Sequence, residues 1–187
     1  MASLNELQQL LAERSAKRGK FTLSSGREST LYIDARLTTM SPEGLVLIGQ
    51  LGLQALEESG WNVQSVGGLT LGADPVAYAI AYASGSSPRS LRALRAFTVR
   101  KEPKSHGTAQ LIEGPFAPGD RVAIVEDVIT TGASALRAAS AVSSNGGIVA
   151  GVLAVVDRSE GGREALQEQG FPVIALTTAA DIVARLS

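Results

Sequence analysis

Glu126 and Asp127 stand side by side in VAIVEDVITTGAS, residues 122–134, where an apolar run gives way to a turn of small and hydroxylated residues. Adjacent like charges repel, and neither carboxylate is buried cheaply without a partner. The residues that follow, Val128, Ile129, Thr130, Thr131, Gly132, Ala133 and Ser134, lead into a helical pattern with Ala135, Ala139 and Val142 on one face. Such a turn offers backbone N–H groups and hydroxyls at a helix N-terminus, which suits an anion. The acids would repel a bare phosphate and suit hydroxyl groups instead, because a carboxylate is a strong hydrogen-bond acceptor. A ribose 5-phosphate satisfies both halves, with the acids on its 2′- and 3′-hydroxyls and the turn on its phosphate. The plainer alternative is a solvated strand end followed by a capping turn. A P-loop is not spelled here, since the turn lacks that motif's glycine and lysine spacing.

A second stretch is basic. RKEPKSHGTAQLIEG, residues 100–114, brings Arg100, Lys101, Lys104 and His106 within seven residues. It overlaps a segment, 101–119, that carries three prolines and three glycines. A loop of that length in a compact domain is usually functional or mobile.

The rest of the chain bounds what these residues can do. A chain of 187 residues is one ordinary domain or one with a modest extension, and 44% apolar with 19% charged residues is globular composition. There is no cysteine and a single histidine, so thiolate chemistry is excluded and an imidazole zinc site is disfavoured. A formal charge of −1 gives no global attraction for nucleic acid. No apolar stretch is long enough to span a bilayer. The amphipathic start, with Leu4, Leu7, Leu10 and Leu11 on one side, lacks the basic head and apolar segment of a secretory signal, and Glu6 and Glu13 argue against a transit peptide. A soluble, cytoplasmic protein is expected.

From residue 41 onward, β-rich apolar runs alternate with helical patterns. SPEGLVLIGQLGLQALEESG predicts a helix with Ser41 as N-cap, Pro42 in the first turn and Gly60 past its end. VQSVGG, ALRAFTV, RVAIVED, GIVAGVLAVVD and FPVIAL read as strands. ADPVAYAIAYAS, SALRAASAVSS and GGREALQEQG read as helices, with a short helix at the end. Strands apolar on both faces belong to a sheet covered on both sides, so a doubly wound α/β core is expected over 41–187. Residues 1–40 break the alternation, with a helix, then FTLSSGRESTLYIDARL with a short alternating strand, and read as a small cap.

VAIVEDVITTGAS resembles the signature by which type I phosphoribosyltransferases bind 5-phosphoribosyl 1-diphosphate (PRPP). RKEPKSHGTAQLIEG resembles the mobile catalytic loop of the orotate phosphoribosyltransferases, and FTLSSGRESTLYID their orotate-binding hood. With GGLTLGADP (67–75), the resemblance runs through nearly the whole chain. It implies the type I phosphoribosyltransferase fold: a central, mainly parallel sheet flanked by helices, a small N-terminal hood and a flexible catalytic loop.

It also implies site residues. Arg100, Lys101, Lys104 and His106 would cover the diphosphate, with Gly107 and Gly114 as hinges and His106 as a proton or hydrogen-bond donor to leaving pyrophosphate. Thr70, Leu71 and Gly72 would contact pyrophosphate through backbone groups. Ser25, Gly26, Arg27, Tyr32, Ile33, Thr130 and Arg158 would hold orotate, Arg158 through bidentate pairing with the carboxylate. Mg²⁺ would be bound mainly by PRPP and water, with no direct protein ligand. A homodimer with the loop acting in trans is implied, with no nucleic-acid or membrane partner. Relatives can carry lysine where this chain has Ser24, and Tyr-Lys where it has Leu71-Gly72. The alternatives are transfer to another base, purine or uracil, and a non-catalytic PRPP-binding regulator.

Overall fold

The computed structural model describes residues 2–22, 28–86, 93–102 and 110–186. Helix α1 (Leu4–Arg14) is followed by strands β1 (Ala16–Thr22) and β2 (Glu28–Ile33), which pair antiparallel in a ribbon of their own. The first strand begins at Ala16, earlier than the sequence reading places the end of the helix. Its Lys17, Arg18 and Lys20 lie exposed around Gly19, a poor helix former, and the ladder pairs Ala16 with Ile33 and Arg18 with Leu31. A short α2 (Arg36–Thr39) leads to α3 (Pro42–Ser59), where Ser41 Oγ accepts from the Gly44 N–H at 3.1 Å and Gly60 leaves the helix at φ 69°.

The chain then alternates through β3 (Ser65–Leu69), α4 (Ala73–Ser86), β4 (Arg95–Val99), β5 (Ile112–Glu113), β6 (Arg121–Ile129), α5 (Ala133–Ser144), β7 (Ile148–Asp157), α6 (Gly162–Glu168), β8 (Val173–Thr178) and α7 (Ala179–Val183). These six strands form one sheet in the order β5-β4-β3-β6-β7-β8, parallel except for the edge pair β4–β5. The edge strand was not expected. It pairs only Thr98 with Glu113 and Val99 with Ile112, too short a run to show periodicity, and it narrows the long loop to the residues between Arg100 and Leu111.

Strand β6 explains why the expected double burial holds. Val122 and Ile124 belong to the core under α5, Ala123 and Val125 to the core under α3 and α4, and all four are fully buried. Burying one such valine or isoleucine contributes about 1.5–3 kcal/mol, so a solvated face on this strand would be costly. Leu7 and Leu11 of α1 pack in the same core as Ile48, Ile80 and Ile182. The N-terminal helix is therefore part of the main core, and only the β1–β2 ribbon stands apart from the sheet.

Candidate active site

Strand order reverses between β3 and β6: the chain winds from β3 toward β4 on one side and returns to β6 on the other. The carboxyl ends of strands at such a switch point form the crevice in which open α/β sheets bind ligands. Glu126 and Asp127 occupy that end of β6, and the turn 70–72 follows β3 beside them. The two elements touch: a Cβ on Gly72 would lie 2.5 Å from Asp127 Oδ1. The Thr70–Leu71 peptide is cis.

Successive strand residues face opposite sides of a sheet. Glu126 continues the Val122–Ile124 row toward α5 and lines, with Val128 and residues 129–134, a concavity of about 80 Å³. Asp127 continues the Ala123–Val125 row and meets Gly72, while its Oδ1 accepts from the Val128 N–H at 2.9 Å. Glu126 is buried without full compensation, and Asp127 is half-buried beside it. Glu126 is 7% exposed and its Oε2 has no partner among the described residues. Burial, with the neighbouring Asp127 charge, pushes the Glu126 carboxyl up to about 8. Burial also raises Asp127, offset by the Val128 N–H and the charge of Arg36, while Asp34 adds to the rise. An orphaned acid of this kind is stabilised when a ligand supplies hydroxyl donors or positive charge.

The turn after β6 has the form that the sequence predicts. Gly132 adopts φ 79°, and no side chain caps α5, so its first N–H groups are left for something else. A Cβ at Gly162 would fall 2.6 Å from the Thr130 carbonyl oxygen, so the start of α6 is packed directly beneath the turn. Ile129 is buried, Val128, Thr130 and Ser134 are half-buried, and Thr131 and Ala133 are exposed.

Other candidates are placed unevenly. Tyr32 is 39% exposed and packs against Phe21 with ring centroids 5.3 Å apart, whereas Ile33 is buried in the main core. Only the first of that pair can present a face to a ligand here. Arg158 sits at the end of β7, its N–H bound to the Ile129 carbonyl at 3.0 Å, and its side chain is 8% exposed. Its Nε and Nη2 both reach Glu160 Oε1 at 2.7 Å, so an internal carboxylate engages the guanidinium proposed for an anionic base. Arg100 lies 3.6 Å from Glu113, and the exposed Lys101 gives its carbonyl to Arg137 Nη2 at 2.9 Å. Ser24, Ser25, Gly26, Arg27, Lys104, His106 and Gly107 lie outside the described residues.

Sequence reasoning missed three partners: Asp34 and Arg36, whose bidentate pair (2.8 and 2.9 Å) faces Asp127 electrostatically, and Glu160 on Arg158. The spacing Asp34-x-Arg36 was the available signal for the first pair; alternation in the preceding strand masked it.

Because Gly72 faces Asp127 at van der Waals range, Gly72→Ala is expected to displace either the turn or the acid. Kinetics should show a loss of roughly 10–100-fold in kcat/KM with the melting temperature little changed. Wild-type rates in a folded variant would show that the approach is functionally idle.

Solved structures share this architecture. A phosphoribosyltransferase from Corynebacterium diphtheriae matches with a TM-score of 0.83 at 35% identity, covering 98% of this chain and 99% of that one, and the class is thereby set as type I phosphoribosyltransferase. An orotate phosphoribosyltransferase from Mycobacterium tuberculosis, solved with PRPP bound, matches with a TM-score of 0.80 at 42% identity over 96% of this chain and 98% of that one. The orotate phosphoribosyltransferase of Aquifex aeolicus is 47% identical over 181 residues, 94% of this chain and 95% of the relative. No family model matches the chain. The chain belongs to the orotate phosphoribosyltransferase family.

Proposed function

We propose that this protein transfers the 5-phosphoribosyl group from PRPP to orotate, giving orotidine 5′-phosphate and pyrophosphate in pyrimidine biosynthesis. The observation that carries the reading is the partnerless, buried Glu126 beside Asp127 at the switch point, next to an uncapped helix start. Glu126 and Asp127 accept hydrogen bonds from the ribose hydroxyls and offset positive charge that develops on the sugar as the diphosphate departs. Residues 130–134 hold the 5′-phosphate, and the turn 70–72 meets the diphosphate through main-chain groups. Arg100, Lys101, Lys104 and His106 cover the leaving group and exclude water. Tyr32, Ser25, Gly26, Arg27, Thr130 and Arg158 orient orotate so that N1 attacks C1 with inversion, and no covalent enzyme intermediate forms.

Mg²⁺ fits this donor set. Among the described residues no three acids or histidines cluster to hold a metal alone, but two carboxylates beside a phosphate cradle suit an ion that keeps water and substrate oxygens. Bound with PRPP, it would supply charge neutralisation on the diphosphate. The direct test is orotidine 5′-phosphate formation from orotate and PRPP, run beside adenine, hypoxanthine and uracil. Turnover with another base and none with orotate would overturn the reading.

A homodimer is part of the proposal, in a cytoplasmic setting suited to this cysteine-free globular composition. Among the described residues, no helix is long and apolar enough to cross a membrane. A groove of about 940 Å³ between α3 and α4 exposes Val46, Tyr78 and Tyr82, a face that a second copy would cover. If the loop acts across that pair, mixing Lys104→Ala with Asp127→Asn should restore one good site per mixed dimer, about a quarter of wild-type activity at equal ratios. Flat inactivity at every ratio would place the loop on its own subunit.

A further inference from the structure

We infer that Asp74 is a positioning residue for the diphosphate: it acts through the turn 70–72 without touching substrate. The inference rests on the proposed PRPP reading and adds a residue to it. Asp74 lies half-buried in the first turn of α4, and its two oxygens are claimed by two different elements. Thr70 Oγ1 donates to Oδ2 at 2.6 Å, and Thr98 Oγ1, on β4, donates to Oδ1 at 2.8 Å. Thr98 has one hydroxyl proton and gives it to the carboxylate. The 2.8 Å contact between Tyr78 OH and Thr98 Oγ1 must therefore carry the tyrosine proton. The result is a directed chain, Tyr78 to Thr98 to Asp74, joined at the same carboxylate by Thr70.

This chain has a consequence for the turn. The Thr70 N–H is also fixed, to the Val99 carbonyl at 2.8 Å, so the residue is held to β4 by its main chain and to α4 by its side chain. On the far side Gly72 closes against Asp127. Between these anchors, neither the Leu71 nor the Gly72 N–H donates a hydrogen bond among the described residues. Two free main-chain donors held in a pinned turn suit a polyanion. A carboxylate is the group that can hold them so, because it accepts from both threonine hydroxyls and turns their protons inward. Asparagine would present a donor to one threonine that has already a proton to give. The acid also stabilises the start of α4.

The experiment uses the full chain with PRPP, orotate and Mg²⁺. Asp74→Asn is expected to raise KM for PRPP, and for pyrophosphate in the reverse direction, by about five- to tenfold. KM for orotate and kcat should stay within about twofold. PRPP binding measured without orotate should weaken by the same factor. Thr98→Val should reproduce the split more weakly, and adding it to Asp74→Asn should cost little more, since both break one chain. A uniform fall in all parameters, or an unchanged KM for PRPP, overturns the inference; if Asp74→Asn fails to fold, the same criteria apply to Thr98→Val. Wild-type inactivity with orotate would instead strike the proposed function, and the split would then be read with whichever base is accepted.

Discussion

Asp127→Asn is expected to lower kcat/KM for phosphoribosyl transfer by about 10²–10³-fold, the scale of losing one preorganised electrostatic contact in a closed site. The substitution is nearly isosteric and can keep the acceptor for the Val128 N–H, now 2.9 Å from Oδ1. What it removes is charge. As the glycosidic bond to diphosphate lengthens, positive charge spreads over the ring, and a carboxylate on the ribose hydroxyls is worth more then than in the ground state. The loss should therefore fall mainly on kcat. Initial rates with saturating orotate and PRPP, alongside a melting curve showing the fold intact, make the check. A folded variant retaining more than about a tenth of wild-type kcat would remove Asp127 from the chemistry.

Glu126→Gln should separate stability from activity. The folded-state carboxyl titrates at about 8 against 4.5 for the free side chain, because the site withholds water from its charged form. Between those values the folded protein holds a proton that the unfolded chain has released. The stability supplied by this group is thus full below pH 4.5 and disappears as pH climbs through 8. Across that window the ligand-free protein loses a few kcal/mol. Glutamine cannot ionise, so the variant should melt several degrees above wild type at pH 8 and converge with it, or fall slightly below, at pH 5. Its turnover should drop by about 10²-fold, since a neutral amide answers the sugar's hydroxyls poorly. Parallel melting temperatures for the two proteins from pH 5 to 8 would mean that the carboxylate is already satisfied. An active site that destabilises its own empty state in this way is a recurrent trade between stability and activity.

The readable parts of this molecule are those whose signal is local. VAIVED announces a twice-buried parallel strand because each residue answers to a core on its own side, and Ser41-Pro42 with Gly60 brackets α3 through capping chemistry confined to a few residues. The acid pair and the turn after it were legible for the same reason: they are contiguous. Apart from the Asp34–Arg36 and Arg158–Glu160 pairs, two residues apart, the missed features depend on partners distant in the chain. β5 exists only because β4 offers it a ladder, and β1 because β2 does. The sequence reading names Gly72 for its backbone alone; its approach to Asp127 appears only once β3 and β6 lie side by side. Ile33 looks like half of an apolar clamp in sequence, yet the pleat of β2 sends it inward while Tyr32 stays at the surface. Arg158 is the instructive middle case. The sequence reading assigns it a substrate carboxylate, and the carboxylate that it pairs with in the structure is Glu160, two residues on.

The alternation of β6 carries one more implication. Glu126 follows the row packed beneath α5 and Asp127 the row packed beneath α3 and α4, so in the proposed reading each contact to the ribose would rest on a different half of the core. Repacking one half should then retune one grip and spare its neighbour, which would make discrimination between ribose and its deoxy analogues adjustable from deep inside the core.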